Sequence, residues 1–197
     1  MCLRPYRQQD QDFLNILNGI RENRLTSQIL KSLNSRVKAY ENDDDVIRLT
    51  THNAQADKVN GMKLDALPGE AITFGAEIEG EFPENSYPAD EVLSLKKGAQ
   101  VMFIRNDSEA GFYNGKLGKV TEISSGGQVT VTDSDGESIV VSQAEWPNIQ
   151  YALDNESGEI RQNVVGTFKQ LPLRIAWAIT IHKSQGLTFD KVIIDAG

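Results

Sequence analysis

The sequence predicts an α/β fold in which a mainly parallel sheet, incomplete within these 197 residues, is interrupted by an inserted small all-β barrel. Three observations lead there. The apolar run "VIRLTTH" (46–52) passes directly into helical spacing in "NAQADKVNGMKLDAL" (53–67), the strand-then-helix signature of a parallel sheet. From about residue 98 to 168, short strand patterns are separated by Asn-Gly, Gly-Gly, Asp-Gly and Ser-Gly turns, which is hairpin chemistry. After Pro172, buried-type apolar strands return in "LRIAWAITIH" and "KVIIDAG". The expected divisions are therefore 1–97 for the first part of the α/β domain, 98–168 for the barrel and 169–197 for its continuation.

Taken in order, "DQDFLNILNGIREN" places Phe13, Leu14, Leu17 and Ile20 on one helical face with Asp10 as N-cap. A shorter helix is expected in "TSQILKSLNSRV", capped by Thr26, before the solvated acidic turn "ENDDD". The helix after "VIRLTTH" spaces Ala56, Val59, Met62 and Leu67 and stops at Pro68, so a strand-to-helix transition falls at Thr51, His52 and Asn53. "AITFGAEIEGEF" alternates, and "PENSYP" reads as a loop. "GAQVMFIRND", "GKLGKVTEIS", "GQVTVTDSDGESIVVS" and "IQYALDNESGEIRQNVVGTF" supply the five or six strands of a small closed sheet. The sequence ends at Gly197 inside an apolar run that reads as the middle of a sheet, so it is expected to be part of something larger.

Composition narrows the class without naming an activity. No apolar run approaches the ~18 residues of a membrane helix, and "MCLRPYRQQD" has no signal-peptide core, so no membrane partner is expected and the default compartment is the cytoplasm. The single cysteine, Cys2, cannot form an internal disulfide. A net charge of −8 argues at first against nucleic acid, whose binders display cations to the phosphates. The acidity is concentrated, however. Residues 41–95 hold three Lys/Arg against thirteen Asp/Glu, whereas residues 1–40 hold seven against three, leaving room for a local cationic groove.

Two stretches imitate known chemistry and fail on inspection. "GFYNGKL" resembles a phosphate-binding loop, but only three residues separate Gly111 from Gly115, Leu117 stands where a Ser/Thr is needed, and no helix follows. "VIID" imitates a metal-holding strand end, yet Ala196 follows Asp195 where a carboxylate would be required, so Asp195 reads as a strand-end residue. Neither histidine pairs with a second plausible ligand at metal spacing and no Ser-His-Asp order can be defended, so no metal site and no acyl chemistry are expected.

The heptapeptide "TIHKSQG" (180–186) resembles motif V of superfamily I DNA helicases, in the RecD-like branch that includes the exonuclease V alpha chain and the PIF-type helicases. Three other stretches agree with that family in order. "YRQQDQDFLNILNGIR" resembles its arginine-bearing motif IV region, "LTTHNAQADKVN" the strand-to-helix segment downstream, and "LKKGAQVMFIRND" with "YNGKLGKV" the approach to an inserted Src-homology-like barrel. The resemblance covers nearly the whole chain. It implies the RecA-like second motor lobe of an ATP-dependent DNA helicase that moves on single-stranded DNA, partnered by an N-terminal motor lobe of the same parent chain.

The resemblance also implies roles. Arg7 matches the arginine that reaches the γ-phosphate of ATP, with Arg4 as a nearby competitor and a surface position as the alternative. Thr180, His182, Lys183 and Ser184 would hold the DNA backbone, while Gln185 and Gly186 would lie nearer the nucleotide. A strand-end histidine is the alternative for His182. Thr51, His52 and Asn53 would contact DNA at a strand's C-terminal end, where open α/β sheets place ligands, with turn-capping as the alternative for Asn53. Phe112, Tyr113 and Asn114 offer either a stacking platform or partial core. ATP and Mg2+ are expected to be held mainly by a first lobe whose phosphate loop these residues lack, so the piece is expected to be inactive alone. The competing reading is a non-catalytic, helicase-derived interaction module.

Overall fold

The computed structural model describes residues 10–37, 46–153, 160–189 and 191–195. They fall into two units, the helices up to residue 37 and the chain from residue 46 onward. Arg4, Arg7, Cys2, the acidic turn 41–45, the expected Ser-Gly turn and Gly197 lie outside the described residues.

In the first unit, α1 (Gln11–Arg21) begins where expected: Asp10 Oδ1 accepts from the backbone N–H groups of Asp12 and Phe13 at 3.0 Å. Thr26 caps α2 (Ser27–Asn34) through the N–H of Ile29 at 3.2 Å. The inward face of α1 differs from the expected one. Ile16 and Gly19 are buried, Phe13 and Leu14 half-buried, and Leu17 and Ile20 remain 44% and 48% exposed. The reason is Gly19, which lets the side chain of Ile29 approach the helix backbone, a contact that apolar spacing cannot register.

In the second unit, β1 (Ile47–Thr50) leads through Thr51 and His52 into α3 (Asn53–Ala66). At the far end of the chain stand β12 (Ala178–Thr180) and β13 (Val192–Asp195). These form one parallel sheet ordered β12-β1-β13, with Arg48 opposite Ala178 and Thr50 opposite both Thr180 and Asp195. The two segments predicted to share a parallel sheet do so. Arg48 also lies 3.6 Å from the carboxylate of Asp195, at a strand end as expected.

Between them the chain is all β: β2 (Ile72–Gly75), β3 (Glu77–Gly80), β4 (Val92–Leu95), β5 (Gln100–Phe103), β6 (Leu117–Ile123), β7 (Val129–Asp133), β8 (Ser138–Val141), β9 (Ala144–Leu153), β10 (Ile160–Gln170) and β11 (Leu173–Ile175). They pair antiparallel as β11-β5-β6-β7-β8, β3-β10-β9 and β2-β4. Alternation does the work that alternation predicts. In β7, Val129 and Val131 turn inward while Thr130 and Thr132 do not. The pairing runs past the expected limits of 98 and 168 on both sides: β3 joins β10 through Ile78 and Phe168, and β11 joins β5 through Leu173 and Phe103.

Among the described residues, two apolar cores result. Leu93, Leu95, Val101, Phe103, Val131 and Leu173 fill the larger one, against which Val59 and Leu64 of α3 pack together with Leu67, just past its end. A fully buried side chain of this size contributes roughly 1.5–3 kcal/mol. The smaller core joins the parallel sheet to the β body through Ile47, Ile179 and Met102, with Leu187 and Phe189 packed against it. The expected α3 face is right for Ala56 and Val59, but Met62 is 65% exposed and Leu64 turns inward instead.

Candidate nucleic-acid interface

Parallel pairing brings together two segments that are far apart in sequence. Because Thr50 and Thr180 are register partners at the C-terminal ends of adjacent strands, the turns that follow them, 51–53 and 181–186, leave the sheet side by side. The junction is tied by the N–H of Ile181, which donates to the carbonyl of Thr50 at 2.9 Å, and by the buried hydroxyl of Thr50, which donates to the carbonyl of His52 at 3.2 Å.

On the β1 side, His52 has extended φ and ψ and occupies the N-cap position, but no side-chain hydrogen bond caps the helix. Its imidazole Nδ1 instead lies 2.8 Å from Thr51 Oγ1 and the ring is exposed. Asn53 is the first residue of α3 rather than its cap and is also exposed. Two polar side chains therefore stand at the positive end of a 14-residue helix, where backbone N–H groups favour anions.

On the β12 side, Thr180 is only 5% exposed, and its Oγ1 accepts the N–H of Lys183 at 3.4 Å. It shapes the turn and is not displayed with its neighbours. The N–H of Ser184 donates to the carbonyl of Thr180, and the half-buried hydroxyl of Ser184 donates to the carbonyl of Ile181 at 2.8 Å. These bonds hold a compact turn from which His182 and Gln185 project into solvent. Gly186 has φ +85 with open space around it, so the left-handed backbone, not crowding, requires glycine there.

Lys183 leans over a cleft of about 170 Å³ shared with Asn53, Asn60, Asp90, Arg174 and Thr180. Partial burial, and next the charge of Arg174, hold its ammonium below the usual lysine pKa, while Asp90 and Asp57 pull the other way.

Asn60 was not anticipated. Its Nδ2 donates to the carbonyl of Ala178 and its Oδ1 accepts the N–H of Ala178, both at 2.8 Å. The amide thus occupies the outer edge of β12 in the manner of a neighbouring strand and fixes that strand against α3. The available signal was an amide on the inward, Ala56 and Val59 side of a helix where the period asks for an apolar residue. Arg174, interrupting the apolar "LRIAWAITIH", carried a similar signal.

The β body settles the remaining sequence readings. Phe112 is 5% exposed and stacks on Phe103 with centroids 4.3 Å apart, so it is core and not a platform. Tyr113 is 60% exposed, and Asn114 uses its N–H on Asn106 Oδ1 at 2.8 Å. Lys116, from the rejected phosphate-loop imitation, is consumed internally: its ammonium lies 2.7 Å from the buried carboxylate of Asp133 and donates to the carbonyl of Gly111. Among the described residues, no group of three or more His, Cys, Asp or Glu side chains is arranged to hold a metal ion. No helix among them is long and apolar enough to cross a membrane.

Comparison with known proteins adds an independent line. A family profile described as "DNA helicase Pif1, 2B domain" matches residues 84–123. The ATP-dependent DNA helicase Pif1 of Bdellovibrio bacteriovorus is 34% identical over 194 residues, which cover 96% of this chain and 42% of that protein. Unliganded Pif1 from Bacteroides sp superposes with a TM-score of 0.88 at 41% identity, covering 98% of this chain and 45% of that one. The Bacteroides Pif1 structure in complex with ADP-AlF3 and ssDNA superposes with a TM-score of 0.71 at 40% identity, over 98% and 45% of the two chains. The chain thus spans less than half the length of these relatives.

Proposed function

Given that the chain belongs to the Pif1-type branch of the superfamily I DNA helicases, we propose that it is the second motor lobe of an ATP-dependent helicase translocating on single-stranded DNA. The observation that carries this reading is the convergence of the 51–53 and 181–186 turns at the C-terminal edge of one parallel sheet, where α/β proteins bind ligands. The lobe comprises the β12-β1-β13 sheet with α3, and the all-β body from β2 to β11 is the small inserted subdomain.

In this reading Thr51, His52, Asn53, His182, Lys183 and Ser184 hold the sugar-phosphate backbone, and buried Thr180 sets the turn that aims Lys183. Such contacts position a strand without reading its sequence. Gln185 and Gly186 face the nucleotide, and Arg7 supplies the arginine at its γ-phosphate. ATP with Mg2+, held mainly by an N-terminal lobe of the same parent protein, supplies the driving phosphoryl transfer when bound. One short turn then links nucleotide state to DNA position, because Lys183 and Gly186 belong to the same turn.

The test uses the full-length protein. Lys183→Ala should weaken single-stranded DNA binding across sequences alike and flatten the log-log salt dependence by about 0.7. Arg7→Ala should leave nucleotide-free DNA affinity nearly unchanged while lowering ATP hydrolysis by roughly 10³-fold or more. Fluorescence anisotropy over a salt series beside an ATPase assay separates the two defects. Wild-type affinity and slope in Lys183→Ala would refute the DNA role of this turn.

A further inference from the structure

Arg174 has no place in the roles above, yet it faces the same cleft as Lys183. It projects from β11 opposite Met102, and its side chain is only 18% exposed. Its Nε is sealed from solvent without a hydrogen-bond partner, and the carboxylate of Asp90 stands 3.7 Å away, too far for a formed hydrogen bond. The pair is electrostatic and loose. The backbone of Asp90 is held in place, because the fully buried amide of Gln170 donates to the carbonyls of Phe74, Asp90 and Glu91 at 3.0, 3.3 and 3.4 Å.

Two cations therefore border one semi-enclosed cleft. Arg174 already acts on Lys183 as a like charge, and the carboxylates that offset them, Asp90 and Asp57, are exposed to water. The N-terminal residue of α3, Asn53, forms another wall. The backbone groups of Ala178 are already satisfied by Asn60, so the cleft presents no free carbonyl at that point to repel an anion. A tetrahedral oxyanion would relieve the crowding of the two cations, and a guanidinium suits such an anion geometrically.

We propose that Arg174 is a second phosphate-binding cation, which with Lys183 clamps one backbone phosphate of the bound strand, and that Asp90 is an electrostatic latch that holds Arg174 until the phosphate displaces it. The inference rests on the reading that this face meets nucleic acid. Asp90 lies within the stretch 84–123, so the latch ties that region to the DNA-facing turn.

Three variants of the full-length protein test it: Arg174→Gln, Asp90→Asn and Lys183→Ala. Each is titrated against a fluorescein-labelled oligothymidine over a salt series, with thermal melting as the folding control. Arg174→Gln should weaken binding at every salt concentration and flatten the salt slope by about 0.7, as one lost phosphate contact does. Asp90→Asn should bind about two- to five-fold more tightly at low salt, the range of one exposed charge interaction. If Arg174→Gln and Asp90→Asn weaken binding alike, the pair is only a structural tie and the proposal fails. A flattened slope in Lys183→Ala with a wild-type slope in Arg174→Gln overturns this inference alone; wild-type slopes in both overturn the reading of the face as well. Should Arg174→Gln not fold, Asp90→Asn decides, tighter binding supporting the latch and unchanged or weaker binding overturning it.

Discussion

Asn60 spends both ends of its amide on Ala178, and the backbone it satisfies belongs to the strand that launches the turn 181–186. Asn60→Leu would leave a donor and an acceptor without partners beside the helix, at a cost of about 1–3 kcal/mol, measurable as a fall in urea midpoint with an unchanged m-value. Asp133 makes a second residue-scale prediction. The ammonium of Lys116 is the main cause holding its carboxyl below the ordinary range, the N–H groups of Glu137 and Asp135 act the same way, and burial opposes them. A carboxylate whose folded pKa lies below its unfolded value stabilises fully above about pH 3.9, and that contribution is lost as pH falls through the folded value. The stability advantage of the native protein over Asp133→Asn should accordingly be constant near neutrality and shrink on acidification below that point, as followed by denaturant melts. Sequence exposed Lys183 and His182 because their motif is compact, whereas Lys116, just before β6, and Asp133, at the end of β7, are 17 positions apart and only the pairing of those two strands brings them together.

At the scale of elements, the hairpin between β5 and β6 meets the turn after β12. Gly115 has φ +97, and an added Cβ would lie 2.9 Å from a methyl of Leu187, just beyond the motif glycine Gly186. Gly115→Ala therefore combines a disfavoured backbone with overpacking, and a loss of about 1–3 kcal/mol is expected. A calorimetric melt indistinguishable from the native one would show that the contact is soft. The strands of the β body were readable individually because Gly-containing turns and alternation are local signals. Their partners were not. Nothing local in "AITFGAEIEGEF" says that Ile78 will face Phe168, which is why the expected boundary near residue 98 and the observed pairing of β3 differ. Helix α3 shows the same limit: its period was visible, but Met62 and Leu64 are both apolar and only the packed core distinguishes them.

For the whole molecule, "TIHKSQG" carried the resemblance to the helicase family because a short motif is a local signal, whereas the path between its neighbours was left to topology. The 197-residue chain on its own should bind MgATP negligibly and hydrolyse none, because a phosphate loop's amides and the bound magnesium supply most of the affinity. Isothermal titration revealing micromolar affinity would contradict this. The central sheet has a further consequence, which concerns time. Thr50 of β1 hydrogen-bonds toward Ile179, 129 residues later in the chain. At ~5–20 residues per second of synthesis, β1 emerges from the ribosome on the order of 10 s before the strand it must pair with exists. During that interval the strands of the all-β body are already being delivered, so that body is able to form first and receive Val59 and Leu64 of α3, while the amide of Asn60 waits for Ala178. The parallel sheet then closes last, around a β1 edge that has waited unpaired, and any agent that shields exposed strands during translation should act on this protein chiefly in that window.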